Sequence, residues 1–230
     1  MDHPLLRAFI ESGPVGQGIL IILLALSVVA WSIIIEKIIF FRKLNQDASE
    51  FLNYFRDTAK SRIGSSQMES FSNNSLLYTL YKIGVRELSQ ILGYKELASS
   101  ASHLKPVLKN QQEEIEQSLK RQISRHAQIL DRNMIILATS ANISPFLGLL
   151  GTVYGLLIAF YEMGRMGSAS IDVVSPGISQ ALITTVVGLF VAIPSAVGYN
   201  YLLNAVRNLV IDMENFMSEF ISLVEKGNIG

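Results

Sequence analysis

"SPFLGLLGTVYGLLIAF", residues 144–160, decides how this chain folds. It carries no charge, as lipid demands, yet it places Pro145, Gly148, Gly151 and Gly155 where larger apolar residues would serve, and sets a hydroxyl, Thr152, near its middle. In lipid, leucine against leucine displaces only more hydrocarbon, so helices gain most by bringing small-residue faces together. The stretch therefore reads as a membrane helix with a packing stripe of Ser144, Gly148, Gly151 or Thr152, Gly155 and Ala159.

A matching stripe lies downstream. In "SPGISQALITTVVGLFVAIPSAVGYNYLL", residues 175–203, the small positions Gly177, Ala181, Thr184 or Thr185, Gly188, Ala192 and Ala196 recur at helical spacing, with Pro194 inside the run. Ser175 followed by Pro176 reads as a helix start, a capping hydroxyl before a residue whose missing N–H is harmless in the first turn. A third apolar run, "VGQGILIILLALSVVAWSIIIEKIIFF", residues 15–41, is free of charge from Val15 to Ile35. That is about the ~20 residues a helix needs to cross the hydrocarbon. Before it, Arg7 stands against Asp2 and Glu11, and the run is longer than a signal core, so it reads as a retained signal-anchor.

Composition agrees. The 230 residues are 50% hydrophobic and 17% charged, against roughly 25% charged in a soluble domain, and the mean hydropathy is +0.36. A net charge of zero gives no electrostatic basis for nucleic-acid binding. Without cysteine there is no disulfide, thiol nucleophile or Cys-type metal site. The histidines, His3, His103 and His126, are scattered, and no metal, cofactor or catalytic constellation is expected.

Most Lys and Arg lie between the first and second runs, with Lys37, Arg42 and Lys43 at the end of the first. The positive-inside rule then places the N-terminus outside and the C-terminus inside. The expected all-α layout is a periplasmic segment over 1–14, spans over 15–41, 133–161 and 173–203, a cytoplasmic helical domain over 42–132, a periplasmic loop over 162–172 and a cytoplasmic helix over 204–230. Leu108, Ile115, Leu119, Ile123 and Leu130 form one apolar stripe, and with no Pro or Gly before Met134 the helix is expected to run unbroken from about Val107 into the second span. Val206, Val210, Met213, Met217, Phe220 and Val224 form another stripe. Both are open to packing within the chain or to self-association. "GSSQ" and "SNNS", residues 64–67 and 72–75, read as loops or a helix start.

The second and third spans contain no Asp, Glu, His, Lys or Arg. Glu36 reads as an interfacial residue beside Lys37. Gln180, Thr184, Thr185 and Thr152 remain as polar groups: the threonines either bond back to their own helix or line a polar track, and a Gln amide must face protein or water. Such a track accepts hydrogen bonds and holds no charge, so a proton-driven device built on it needs a titratable group from another polypeptide.

These segments resemble the signature segments of the MotA/TolQ/ExbB proton channel family, through the joint pattern Pro145, Gly148, Gly151, Thr152, Gly188 and Pro194. The three-span layout, "VVAWSIIIEK" and "NFMSEFISLVE" are most similar to its TolQ type. The resemblance implies a non-enzymatic subunit of a proton-motive-force-driven motor in the bacterial inner membrane. It implies a homo-oligomer, a pentamer, around two TolR/ExbD-type single-span subunits that each carry a membrane Asp, with a TolA/TonB-type effector. It matches Thr152 and Thr185 to pore-facing threonines, and puts Gln180 where relatives usually carry Glu. The work implied is outer-membrane integrity and constriction during division. The alternatives are an ExbB-like role in nutrient import and a non-conducting scaffold.

Overall fold

The computed structural model describes residues 13–58, 75–92, 109–167 and 170–225. The chain is all-α there: α1 (Pro14–Thr58), α2 (Leu76–Leu92), α3 (Lys109–Asp131), α4 (Met134–Met166) and α5 (Ile171–Glu225), with no strand among the described residues. Three of these, α1, α4 and α5, are long and apolar enough to cross a membrane. The readings made for residues 1–12, 64–67, 72–74 and 226–230, and for His103 and Leu108, lie outside the described residues.

The described residues fall into two compact units: one takes those up to Lys37 and from Asn133 to Leu203, the other those from Ile38 to Arg132 and from Asn204 on. The first unit inverts the pattern of a water-soluble protein. Leu24, Phe146, Phe190 and Val197 point outward, each about two-thirds exposed or more, while α4 buries Ser140, Ser144, Gly148, Gly151, Gly155 and Ala159. Large apolar side chains outward and small or hydroxylated ones inward is the arrangement lipid favours. The α1 segment joins through Ile19 and Leu23, which pack on Val191 beside Leu26, Leu147 and Val187.

The second unit is built as a soluble protein is. The stripe of α3 is buried at Ile115, Leu119, Ile123 and Leu130, and that of α5 at Val206, Met213, Met217, Phe220 and Val224. An aromatic core stands at its centre: Phe55 meets Phe216 edge-on at 5.0 Å, and Phe51 meets both Tyr78 and Phe216 edge-on at 6.0 and 5.7 Å. Ser75 starts α2, its carbonyl accepting from the Thr79 N–H at 3.0 Å. The Ser118 hydroxyl donates to Glu87 Oε1 at 3.2 Å, tying α3 to α2.

Two expectations are corrected. The helix expected from Val107 onward does not run unbroken into the second span. It stops at Asp131, Arg132 donates to the Ile129 carbonyl at 3.3 Å, and Asn133 takes a left-handed conformation (φ 69°) before α4 begins. Asn enters that region more readily than almost any other non-glycine residue, so the missing Pro or Gly was no guarantee of continuity. Nor does α5 begin at Ser175–Pro176. It begins at Ile171, with Val173 donating to the Ser170 carbonyl at 3.2 Å and Asp172 in the first turn, where an acid opposes the positive helix end. Pro176 is thus inside the helix and removes the bond its N–H would have given to the Asp172 carbonyl. At its other end α5 continues without interruption to Glu225.

Candidate functional site

The small faces of α4 and α5 meet so closely that the glycines have no space for a side chain. A Cβ added at Gly188 would lie 2.6 Å from the Ser144 carbonyl oxygen, and one at Gly155 2.9 Å from that of Gly177. One at Gly148 would lie 3.0 Å from the Thr184 carbonyl oxygen, and one at Gly151 2.5 Å from Thr184 Oγ1. Those neighbours are mostly backbone, so the two helices run in close contact along about three turns. The sequence stripes are therefore one seam.

Into this seam α4 projects Thr152 and α5 projects Thr185. Their hydroxyls are hydrogen-bonded to each other. Thr152 Oγ1 also lies 3.0 Å from the carbonyl of Gly148 in its own helix and 3.0 Å from that of Ala181 across the seam. Thr185 Oγ1 lies 3.3 Å from the same Gly148 carbonyl. The pair has two hydroxyl protons and more acceptors than it can serve at once. Thr152 donates to Thr185 while Thr185 donates to Gly148, or Thr185 donates to Thr152 while Thr152 donates to Ala181 or Gly148. Both orders use the same heavy-atom positions, so the pair reverses its polarity without moving the helices.

The other polar residues are placed differently. Thr184 is fully buried and donates back to the Ala181 carbonyl at 2.8 Å. Gln180, one turn earlier, is only 7% exposed. Thr152 and Thr185 are half-buried, so part of each reaches the surface of the unit. The structure thus brings Thr152 and Thr185 together at an accessible edge and keeps Thr184 behind them. Pro145 and Pro194 both lie inside helices. Beside Pro194, Ser195 donates to the Val191 carbonyl at 2.8 Å. Among the described residues no cluster of His, Cys, Asp or Glu is arranged to hold a metal ion.

Reasoning from sequence passed over three buried serines or glycines. Ser140 lies one turn before Ser144 on the same buried face, a spacing of four that was available to find it. Ser195 and Gly198 are also buried. A Cβ at Gly198 would lie 2.6 Å from Ile34 Cδ1, which marks the close approach of α1.

The chain resembles known proteins over nearly its whole length. It is 29% identical over 228 residues to the Tol-Pal system protein TolQ of Haemophilus influenzae, covering 98% of this chain and 95% of that protein. It is 27% identical over 214 residues to the biopolymer transport protein ExbB of Xanthomonas campestris pv. campestris, covering 93% and 83%. A shorter match, 41% over 90 residues, is to the ExbB of Aquifex aeolicus and covers 39% of this chain and 61% of that protein. The family model for the MotA/TolQ/ExbB proton channel family matches residues 85–215, more than half of the sequence and the whole α4–α5 seam. The chain belongs to the MotA/TolQ/ExbB proton channel family.

Proposed function

We propose that this chain is a TolQ-type motor subunit in the bacterial inner membrane, coupling proton flow to mechanical work on the cell envelope, with outer-membrane integrity and constriction as the work done. Its N-terminus is periplasmic and its C-terminus cytoplasmic. Several copies, five in this reading, surround two TolR/ExbD-type single-span subunits, and a TolA/TonB-type effector takes up the motion. The observation that carries this reading is the Thr152–Thr185 pair: a reversible hydroxyl couple, half-open to the outside, in a helix seam without charge.

The chemistry follows from that neutrality. A carboxyl group brought to mid-membrane is driven toward its protonated form by desolvation. Beside the couple, which has one hydroxyl proton left after the Thr152–Thr185 bond, an ionised carboxylate accepts one charge-assisted hydrogen bond, stronger than the neutral one a protonated carboxyl would make there. A partner's acid therefore ionises at the couple and protonates away from it. Each proton crossing supplies about 2.3 kcal/mol per 100 mV, against roughly 0.6–2 kcal/mol for an interhelical contact. A few protons suffice to move one set of helices past another.

The test is co-expression with the single-span partner and measurement of proton-dependent envelope function for Thr152→Val and Thr185→Val. Both are expected to lose most of it while the complex still assembles. Full function in both would remove the pair from the mechanism.

A further inference from the structure

The second unit carries two outward faces of opposite charge. On α3, Arg121, Arg125 and Gln128 are exposed at steps of four and three, which puts them on one side of the helix. They border a groove of about 390 Å³ that Lys120 and Ser124 also line, and no acid stands between Arg121 and Leu130. On α1, Glu50, Asn53 and Asp57 are exposed at steps of three and four, with an acid at each end. Nearby charges are paired within the chain, Lys120 with Glu116 at 2.5 Å and Arg56 with Glu219 at 3.3 Å. Among the described residues, Arg121, Arg125, Glu50 and Asp57 make no ion pair.

Each stripe lies opposite the buried side of its helix, formed by Phe51 and Phe55 on α1 and by Leu119 and Ile123 on α3. Both therefore point away from the core of the unit and do not meet within one chain. They nevertheless stand at the same level. Phe51 meets Tyr78 and Phe55 meets Tyr81, each at 6.0 Å, so α2 runs alongside α1 in the same direction. Glu87 lies about 9 Å beyond Tyr81 along α2 and holds Ser118 of α3. Because α3 leads back toward the membrane-spanning unit that α1 leaves, Arg121 and Arg125 lie about 4.5 and 10 Å back up from Ser118. With near-parallel axes, Arg121 comes level with Asp57. Arg125 comes level with Asn53, between Asp57 and Glu50.

A rotation about an axis along the helices keeps every group at its own level. Faces that match in level and charge can therefore join one copy to the next, head to tail, and such a contact closes into a ring. A phosphate-bearing lipid would suit the basic face alone, whereas a second copy uses both. We propose that the Arg121–Arg125 face of one copy docks on the Glu50–Asp57 face of its neighbour. Exposed ion pairs are individually weak, so this contact sets orientation and register more than affinity. It rests on the several-copy reading above and specifies the faces that meet.

The chain has no cysteine, so Asn53→Cys and Ser124→Cys put one thiol on each face of the full-length chain in its membrane complex. Both sites are exposed and uncharged, and they stand within about 3 Å of the same level. A short bis-maleimide joins the thiols, because an Arg–Glu pair holds its helices farther apart than a disulfide spans. The double variant is expected to give a ladder of cross-linked multimers in denaturing gels, and each single variant none. Arg121→Glu/Arg125→Glu in that background is expected to reduce the ladder about tenfold or more. Adding Glu50→Arg/Asp57→Arg is expected to restore it, which a folding defect would not allow. No ladder from a complex whose mass in detergent is that of several copies overturns the interface and leaves the motor reading standing. A monomeric mass refutes the several-copy reading, and this contact with it. A ladder indifferent to charge reversal overturns the docking by charge. Release of phospholipid phosphate by Arg121→Gln/Arg125→Gln, with the ladder unchanged, gives the basic face to lipid headgroups instead.

Discussion

Replacing Gly188 by Ala tests the seam most directly. The added Cβ would lie 2.6 Å from the Ser144 carbonyl oxygen, 3.1 Å from Gly148 Cα and 3.2 Å from Gly148 N. All three are backbone atoms of α4, so no rotamer change relieves the contact. Ordinary contact begins at 3.4 Å, and the helices must separate there by about 0.8 Å. The same displacement would carry the Thr152–Ala181 hydrogen bond from 3.0 Å to about 3.8 Å, beyond bonding range. Overpacking costs roughly 1–3 kcal/mol, and a lost interhelical hydrogen bond adds about 0.6–1.7 kcal/mol. The gain in helix propensity returns up to about 1 kcal/mol. The expected net loss is about 1–4 kcal/mol. Reversible denaturation in detergent, followed by circular dichroism, measures it. Gly164→Ala is the control, because nothing lies within 4 Å of its added Cβ, and it should be neutral or slightly stabilising. If Gly188→Ala proves as stable as Gly164→Ala, the close approach of α4 and α5 is wrong, and the threonine geometry with it.

A double-mutant cycle on Thr152→Val and Thr185→Val should show a coupling of about 0.5–1.5 kcal/mol in the same assay, since each change removes the same shared bond; additive losses would deny that the hydroxyls interact. Gly84→Ala places a methyl 2.7 Å from the ring of Phe220, a fully buried residue that also meets Tyr81 edge-on at 6.3 Å, and should lower the stability of the helical unit by about 1–3 kcal/mol. Loss of the Arg56–Glu219 pair, 3.3 Å apart but substantially exposed, should change stability by less than about 1 kcal/mol, checked by melting Glu219→Gln. Burial first, and the neighbouring Arg125 charge second, hold the His126 imidazole below its ordinary value of 6.5, and its Nε2 is buried without a partner. The unfolded chain then protonates His126 at higher pH than the folded chain does. Its contribution is therefore present above pH 6.5 and lost as pH falls through the folded value, and His126→Gln should flatten that part of the melting-temperature profile.

Much of this architecture is written locally. Three uncharged runs of membrane length need no neighbours to be recognised, because the hydrocarbon is the partner that selects them. The small stripes announced a close helix pair for the same reason: glycine is uneconomical facing lipid and useful facing backbone. The family pattern in residues 144–160 and 175–203 was equally readable. The break at Asn133 was not, since one left-handed residue carries no composition signal when the residue is Asn. The early start of α5 at Ile171 was hidden too, because Ser175–Pro176 satisfies the local rules for a helix start and only the continuation of the turns before it overrules them.

What the residues determined alone is that two spans offer hydroxyls and no charge, so that any titrating group must come from elsewhere. What only the tertiary structure decided is which hydroxyls meet. The register of α4 against α5, set by backbone contact at Gly148 and Gly188, pairs Thr152 with Thr185 at an open edge, seals Thr184 behind them and leaves Ser140 and Ser144 buried without partners. Register between two helices is a relation between distant segments, and a shift of one turn would preserve both stripes while exchanging every one of these contacts.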